Sequence, residues 1–63
     1  MKVSELKLNS SYRGKKEPYR IWTIIKIRNG WVWYADSKYP LSSPFNDTLL
    51  SFARWAKEEV IDA

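Results

Sequence analysis

Residues 20–36 read RIWTIIKIRNGWVWYAD and contain two strand-like segments on either side of Asn29-Gly30. Residues 19–28 are rich in β-branched and aromatic side chains and contain neither glycine nor proline. Asn-Gly supplies the two positive φ angles that a type I′ turn requires, and WVWYAD then returns as the partner strand. The stretch therefore predicts a tight antiparallel hairpin.

A two-residue turn also predicts the register of the hairpin. Uninterrupted pairing sets Arg28 opposite Trp31, Lys26 opposite Trp33, Ile25 opposite Tyr34 and Ile24 opposite Ala35. Side chains alternate between the two faces of a strand. One face is then apolar and carries Ile21, Ile25, Ile27, Val32 and Tyr34. The other face is basic and aromatic and carries Arg20, Trp22, Ile24, Lys26, Arg28, Trp31 and Trp33.

A C-terminal helix is predicted at about 47–60, with Asn46 or Asp47 as its cap. Its apolar residues recur at helical spacing and are Leu49, Phe52, Ala53, Ala56 and Val60. Residues 6–12 alternate weakly in hydrophobicity and predict a first strand or an extended arm.

The fold class expected is α+β: one domain over 1–63, with a small twisted antiparallel sheet of three or four strands at about 6–43. The predicted core comprises Ile21, Ile25, Ile27, Val32, Tyr34, Leu49, Phe52, Ala53 and Ala56.

Composition excludes several kinds of chemistry. The 63 residues include no cysteine and no histidine, so the commonest metal ligands and the usual general base are missing. We expect no metal, no cofactor and no enzymatic activity. Ser42 and Ser43 are candidate nucleophiles without a histidine to activate them, and a Ser-Lys dyad stays open. No apolar run is long enough to span a membrane, and the first residues lack an apolar signal segment. We therefore expect a cytoplasmic protein that does not enter a membrane.

The charge is unevenly distributed along the chain. Residues 1–29 hold eight Lys/Arg and two Glu, a balance of +6, whereas residues 30–63 hold three Lys/Arg and five Asp/Glu, a balance of −2. A basic first half favours an anionic partner. The alternative is that the cations only keep the surface solvated.

The order of these motifs resembles that of a group of short phage and prophage proteins of unknown function. The matching residues are Leu6, Leu8, Tyr12, Arg13, Ile21, Ile25, Val32, Tyr34, Phe52, Trp55 and Ala56. The resemblance implies an SH3-like partial barrel or curled sheet capped by a helix, in a protein of the host cytoplasm. The sequence departs from the family pattern at Asn9 and Glu17, where glycine is expected. The resemblance assigns no functional residues to this chain.

The function predicted is a phage-type accessory binding module that acts through the basic and aromatic hairpin face. Nucleic acid is the favoured partner, single-stranded rather than duplex, because cations can contact phosphates while indole rings stack on bases. The alternative is a protein-interaction module that binds or inhibits a host protein. Some tryptophans could instead pack beneath the helix or stabilise the hairpin. We expect a monomer or weak homodimer. The predicted binding residues are Lys15, Lys16, Arg20, Trp22, Lys26, Arg28, Trp31 and Trp33.

Overall fold

A curled antiparallel sheet of five strands forms a half-barrel around one helix. The computed structural model describes residues 1–15, 20–39, 41 and 43–61. A 3-10 turn at Val3–Glu5 precedes β1 (Ser11–Gly14), β2 (Ile21–Arg28), β3 (Trp31–Asp36), β4 (Phe45–Thr48), α1 (Leu49–Trp55) and β5 (Ala56–Val60). The strand order is β4-β3-β2-β1-β5. The α+β class is confirmed, but the expected three or four strands are wrong, and the sheet extends beyond residue 43.

The predicted hairpin is present as β2 and β3. Asn29 and Gly30 have φ angles of 50° and 80°, as a type I′ turn requires. The predicted pairs Arg28 with Trp31 and Lys26 with Trp33 are confirmed. Beyond them the register shifts, because Ile24 pairs with Tyr34 and leaves Ile25 as an extra residue. Such a bulge bends the strand and increases its twist.

This bulge reverses the predicted faces for the first half of β2. The pairs Ile25 with Tyr34 and Ile24 with Ala35 are wrong, since the extra residue moves Ile24 to the face covered by α1. We call that face inner and the opposite face outer. Ile24 is completely buried, whereas Ile25 is 45% exposed. Trp22, two residues before Ile24, also lies on the inner face, where it contacts Tyr34.

The predicted helix over 47–60 is wrong at both ends. It begins at Leu49, and its cap is the Thr48 hydroxyl, which accepts a hydrogen bond from Ser51 N at 3.1 Å. It ends at Trp55, because Ala56 is extended and the following residues pair with β1 as β5. The Arg13 guanidinium lies 3.5 Å from the Glu58 carboxylate across these strands. This pairing avoids placing acidic residues at the negative end of a longer helix.

The core differs in part from the prediction. Val32, Phe52, Ala53 and Ala56 are buried as predicted, and Tyr34 and Leu49 pack against them from the edge. Three predicted core residues, Ile21, Ile25 and Ile27, are not buried. Ile27 does face Val32, but near the open end of the hairpin, and it is 37% exposed. The residues that complete the buried cluster are Leu6, Tyr12 and Ile24.

Tyr12 anchors the N-terminal segment to the sheet. Its ring is fully buried, and its hydroxyl donates to Glu5 O at 3.1 Å and accepts from Lys7 N at 2.8 Å. A buried phenol needs such partners, and both come from the residues before β1. The predicted first strand over 6–12 therefore begins only at Ser11, after a segment in which Asn9 has a φ of 67°.

Candidate functional site

The outer hairpin face is formed by Lys26, Arg28, Trp31 and Trp33 at the turn end of β2 and β3. The sheet register extends it into two rows of three residues that continue onto β4. One row is Arg28, Trp31 and Thr48, and the other is Lys26, Trp33 and Asn46. The register places the cations and the rings side by side on one surface, and neither row contains a carboxylate.

The contacts on this face leave both cations accessible to a partner. Lys26 Nζ lies 4.8 Å from the centre of the Trp33 ring, a cation–π contact worth about 0.5–1 kcal/mol on an exposed surface. Lys26 and Arg28 are exposed and form no ion pair with any carboxylate in the described part of the chain. Trp31 is 46% exposed. The face therefore presents positive charge beside partly solvated indole rings.

Arg20 and Trp22 do not belong to this face. The bulge at Ile25 places Trp22 on the inner side, where its ring lies 5.1 Å from that of Tyr34 and 5.3 Å from that of Phe45. The Arg20 guanidinium lies 5.6 Å from the centre of the Trp22 ring. The prediction that these two residues share one surface with Lys26 and Trp33 is therefore wrong, because a single extra residue in β2 inverts the alternation.

Lys15, the described lysine of the predicted basic turn, also lies apart from the hairpin end. Lys15 is exposed at the end of β1, and its backbone N–H donates to Trp55 O at 3.3 Å. Lys16 lies outside the described residues. The structure thus brings together four of the eight predicted binding residues.

A second site, the aromatic pocket, lies on the inner side. It has a volume of about 140 Å³ and is lined by Trp22, Tyr34, Asp47, Phe52 and Trp55. Phe52 is buried at its base, while the other four residues are half-buried and can be reached by solvent. Burial raises the pKa of the Tyr34 phenol, and the negative charge of Asp47 raises that pKa further.

The sequence interpretation missed this pocket because it assigned its residues to other roles. Asp47 was expected to cap the helix, but its carboxylate accepts a hydrogen bond from Thr48 N at 2.8 Å at the edge of the pocket. Tyr34 and Phe52 were predicted as core residues, without a pocket. Gly14 points to the pocket only once β1 is known to include it, since a glycine in a strand can mark a close approach.

That close approach is between Gly14 and the indole of Trp55. A Cβ atom built on Gly14 would lie 2.8 Å from Trp55 Cζ2 and closer still to Nε1. The glycine is therefore needed for space, because any side chain would occupy the volume of the indole ring. It positions Trp55 as a wall of the aromatic pocket.

The described residues contain no cluster of three or more acidic residues that could hold a metal ion, and no helix among them could cross a membrane. Comparisons of the chain with protein-family models, curated proteins and solved structures find no match.

Proposed function

We propose that the outer hairpin face binds a short segment of single-stranded nucleic acid. The observation that supports this most directly is the pair of rows in which Arg28 lies beside Trp31 and Lys26 beside Trp33, with no carboxylate in either row. The two cations would contact phosphates, and the exposed ring of Trp31 would stack on a base. Such stacking contributes about 1–3 kcal/mol per base and tolerates any sequence.

The shape of the face favours a single strand over a duplex. Reading a major groove generally requires a helix or a narrow β-ribbon that enters it. The helix α1 has seven residues and packs on the inner side, so it is directed away from this face. An open sheet surface with aromatic rings is instead suited to bases that are already unstacked.

The number of cations sets the salt dependence expected. Two phosphate contacts on a single strand give a slope of about −1.4 in a plot of log K against log salt concentration. Raising the salt concentration from about 50 mM to about 200 mM should then weaken binding about sevenfold. The measurement is a titration of tryptophan fluorescence with a short oligothymidylate at the two salt concentrations.

A charge-reversed variant and its matched control test the location of the site. Lys26→Glu with Arg28→Glu should abolish binding of the oligothymidylate and leave the fold intact, because both side chains are exposed. Lys38→Glu with Lys57→Glu changes the net charge by the same amount at two other exposed lysines. The control should bind nearly as well as the parent. Equal losses in the two variants would show that net charge, not this face, attracts the oligonucleotide.

A protein partner is the competing interpretation of the same face. Tryptophan and arginine are frequent hot-spot residues in protein interfaces, and an acidic segment could use the same contacts. A pull-down from nuclease-treated bacterial lysate separates the two. A stoichiometric protein partner that is lost in the Lys26→Glu, Arg28→Glu variant, together with no response to the oligonucleotide at low salt, would replace nucleic acid by protein as the ligand.

For the fold, we infer an SH3-like partial barrel. The support is the strand order β4-β3-β2-β1-β5 together with a helical segment between the last two strands, an arrangement typical of such barrels. The phage setting, the host cytoplasm and the monomeric or weakly dimeric state stay predictions.

A further inference from the structure

The aromatic pocket combines ring faces with one carboxylate. Four aromatic side chains and Asp47 line a space of about 140 Å³. An engineered cavity of about 150 Å³ holds a benzene molecule, so this pocket has room for a head group of similar size. Aromatic faces carry partial negative charge, and a carboxylate adds a full one. The lining is therefore complementary to a compact cation.

The Asp47 charge is not paired with a cation of any described residue. Within the described residues its carboxylate accepts one hydrogen bond, from Thr48 N, and forms no ion pair. The Arg20 guanidinium lies over the Trp22 ring, but Arg20 does not line the pocket. The Asp47 charge acts on the neighbouring pocket wall, since burial and then this charge raise the pKa of the Tyr34 phenol. A neutral ligand would leave this carboxylate without a counter-charge.

The walls of the pocket are held in place before any ligand arrives. The Phe52 ring centre lies 5.0 Å from that of Tyr34 and 5.3 Å from that of Trp55. Trp55 is further confined by its close packing on Gly14. Side chains that are already ordered lose little conformational entropy on binding.

We propose that the aromatic pocket binds an alkylated ammonium group, the cation that aromatic cages recognise best. The group could belong to a free small molecule such as choline or to a methylated lysine side chain of a protein. The pocket lies on the opposite side of the sheet from the outer hairpin face, so the proposal is independent of nucleic-acid binding.

Choline and its neutral carbon analogue, in which a tert-butyl group replaces the trimethylammonium group, provide the first test. The two probes have the same shape, and each is titrated into the full chain and followed by nitrogen–proton correlation NMR of the indole N–H groups. Choline should shift the Trp22 and Trp55 signals and bind about tenfold or more tightly than the analogue. Equal binding of the analogue, shifts only at Trp31 and Trp33, or no shift at saturating choline would each overturn the proposal.

Asp47→Asn removes the charge and retains the side-chain volume, and the amide oxygen can still accept from Thr48 N. This variant should lose about tenfold or more in choline affinity while binding the analogue as the parent does. Asp36→Asn is the matched control. Asp36 also is half-buried and accepts a backbone hydrogen bond, from Lys38 N at 2.9 Å, but it does not line the pocket. A similar loss of choline affinity in both variants would contradict a specific role for Asp47.

A short peptide containing trimethyllysine, compared with the same peptide unmodified, distinguishes the sources of the cation. Tighter binding of the modified peptide than of choline assigns the pocket to a protein ligand, whereas equal affinities assign it to a free ammonium compound. Lys26→Glu with Arg28→Glu should leave choline binding unchanged, so failure of one site can be told from failure of the other.

Discussion

Two tryptophans lie on each side of the curled sheet, and the charged groups beside them differ. Cations accompany the outer pair, whereas the inner pair has the Asp47 carboxylate as well as the Arg20 guanidinium. On the outer hairpin face, Trp33 lies under the Lys26 ammonium group, with Arg28 beside Trp31. In the aromatic pocket, Trp22 and Trp55 lie near the Asp47 carboxylate. The outer rings are presented on an exposed surface, whereas the pocket rings are packed around Phe52.

The surroundings of each tryptophan, its neighbouring charges and its packing, therefore determine which ligand the ring can contact. Cations beside exposed rings attract an anionic ligand, while a carboxylate among rings attracts a cation. The bulge at Ile25 separates the two environments, since without it the alternation would place Trp22 with Trp33. The two proposed binding sites therefore lie on opposite faces of one small sheet.

The largest effect is expected where the pocket meets the core. Phe52→Ala should lower the free energy of unfolding by about 3–5 kcal/mol, because the ring is 3% exposed and contacts both Tyr34 and Trp55. Trp33→Ala on the outer hairpin face should cost clearly less, although it removes the larger side chain. Urea unfolding of both variants tests the contrast. Equal losses would mean that the outer tryptophan is a core residue.

Adjacent isoleucines test the bulge that divides the two faces. Ile24→Ala should cost about 2–5 kcal/mol, because Ile24 is completely buried. Ile25→Ala should cost less than about 1 kcal/mol, because Ile25 is 45% exposed and has no partner in β3. Chemical denaturation of the two variants gives the comparison. A larger loss for Ile25 would restore the uninterrupted register and return Trp22 to the outer face.

Gly14→Ala should disturb the aromatic pocket without changing any of its lining residues. The new methyl group would overlap the Trp55 indole, so that the ring must move, at a cost of about 1–3 kcal/mol. We expect a changed near-ultraviolet circular dichroism spectrum and weaker choline binding, with oligothymidylate binding unchanged. Gly30→Ala tests a glycine with open space around it, where only the positive φ resists substitution. That control should leave choline binding as it is.

The smallest effect expected is a change in alkaline stability. The folded-state pKa of Tyr34 is raised above 10.0, so folding favours the neutral phenol. The contribution of the neutral phenol to the free energy of unfolding is fully present below pH 10.0. It is lost as the pH rises through the folded-state pKa. Tyr34→Phe should therefore lose less stability than the parent between neutral and strongly alkaline pH, as measured by urea unfolding. An identical decline in both proteins would contradict the raised pKa.

Much of the hairpin could be predicted from local patterns. Asn29 and Gly30 adopt positive φ readily, and the two pairs next to the turn follow directly from its length. The helix was predicted in the right region because Leu49, Phe52 and Ala53 repeat at helical spacing. Its end was not predictable, since the periodicity continues to Val60 and only the pairing of β5 with β1 makes those residues extended.

The amino-acid sequence alone predicted the turn, the two cation–tryptophan pairs beside it, the absence of cysteine and histidine chemistry, and the α+β class. These features depend on backbone preferences and contacts within a few residues. The bulge at Ile25, the fifth strand and the aromatic pocket became apparent only in the folded chain. Each of them depends on contacts between distant residues, such as Trp55 against Gly14 and Asp47 near Tyr34, whose energies no local pattern encodes.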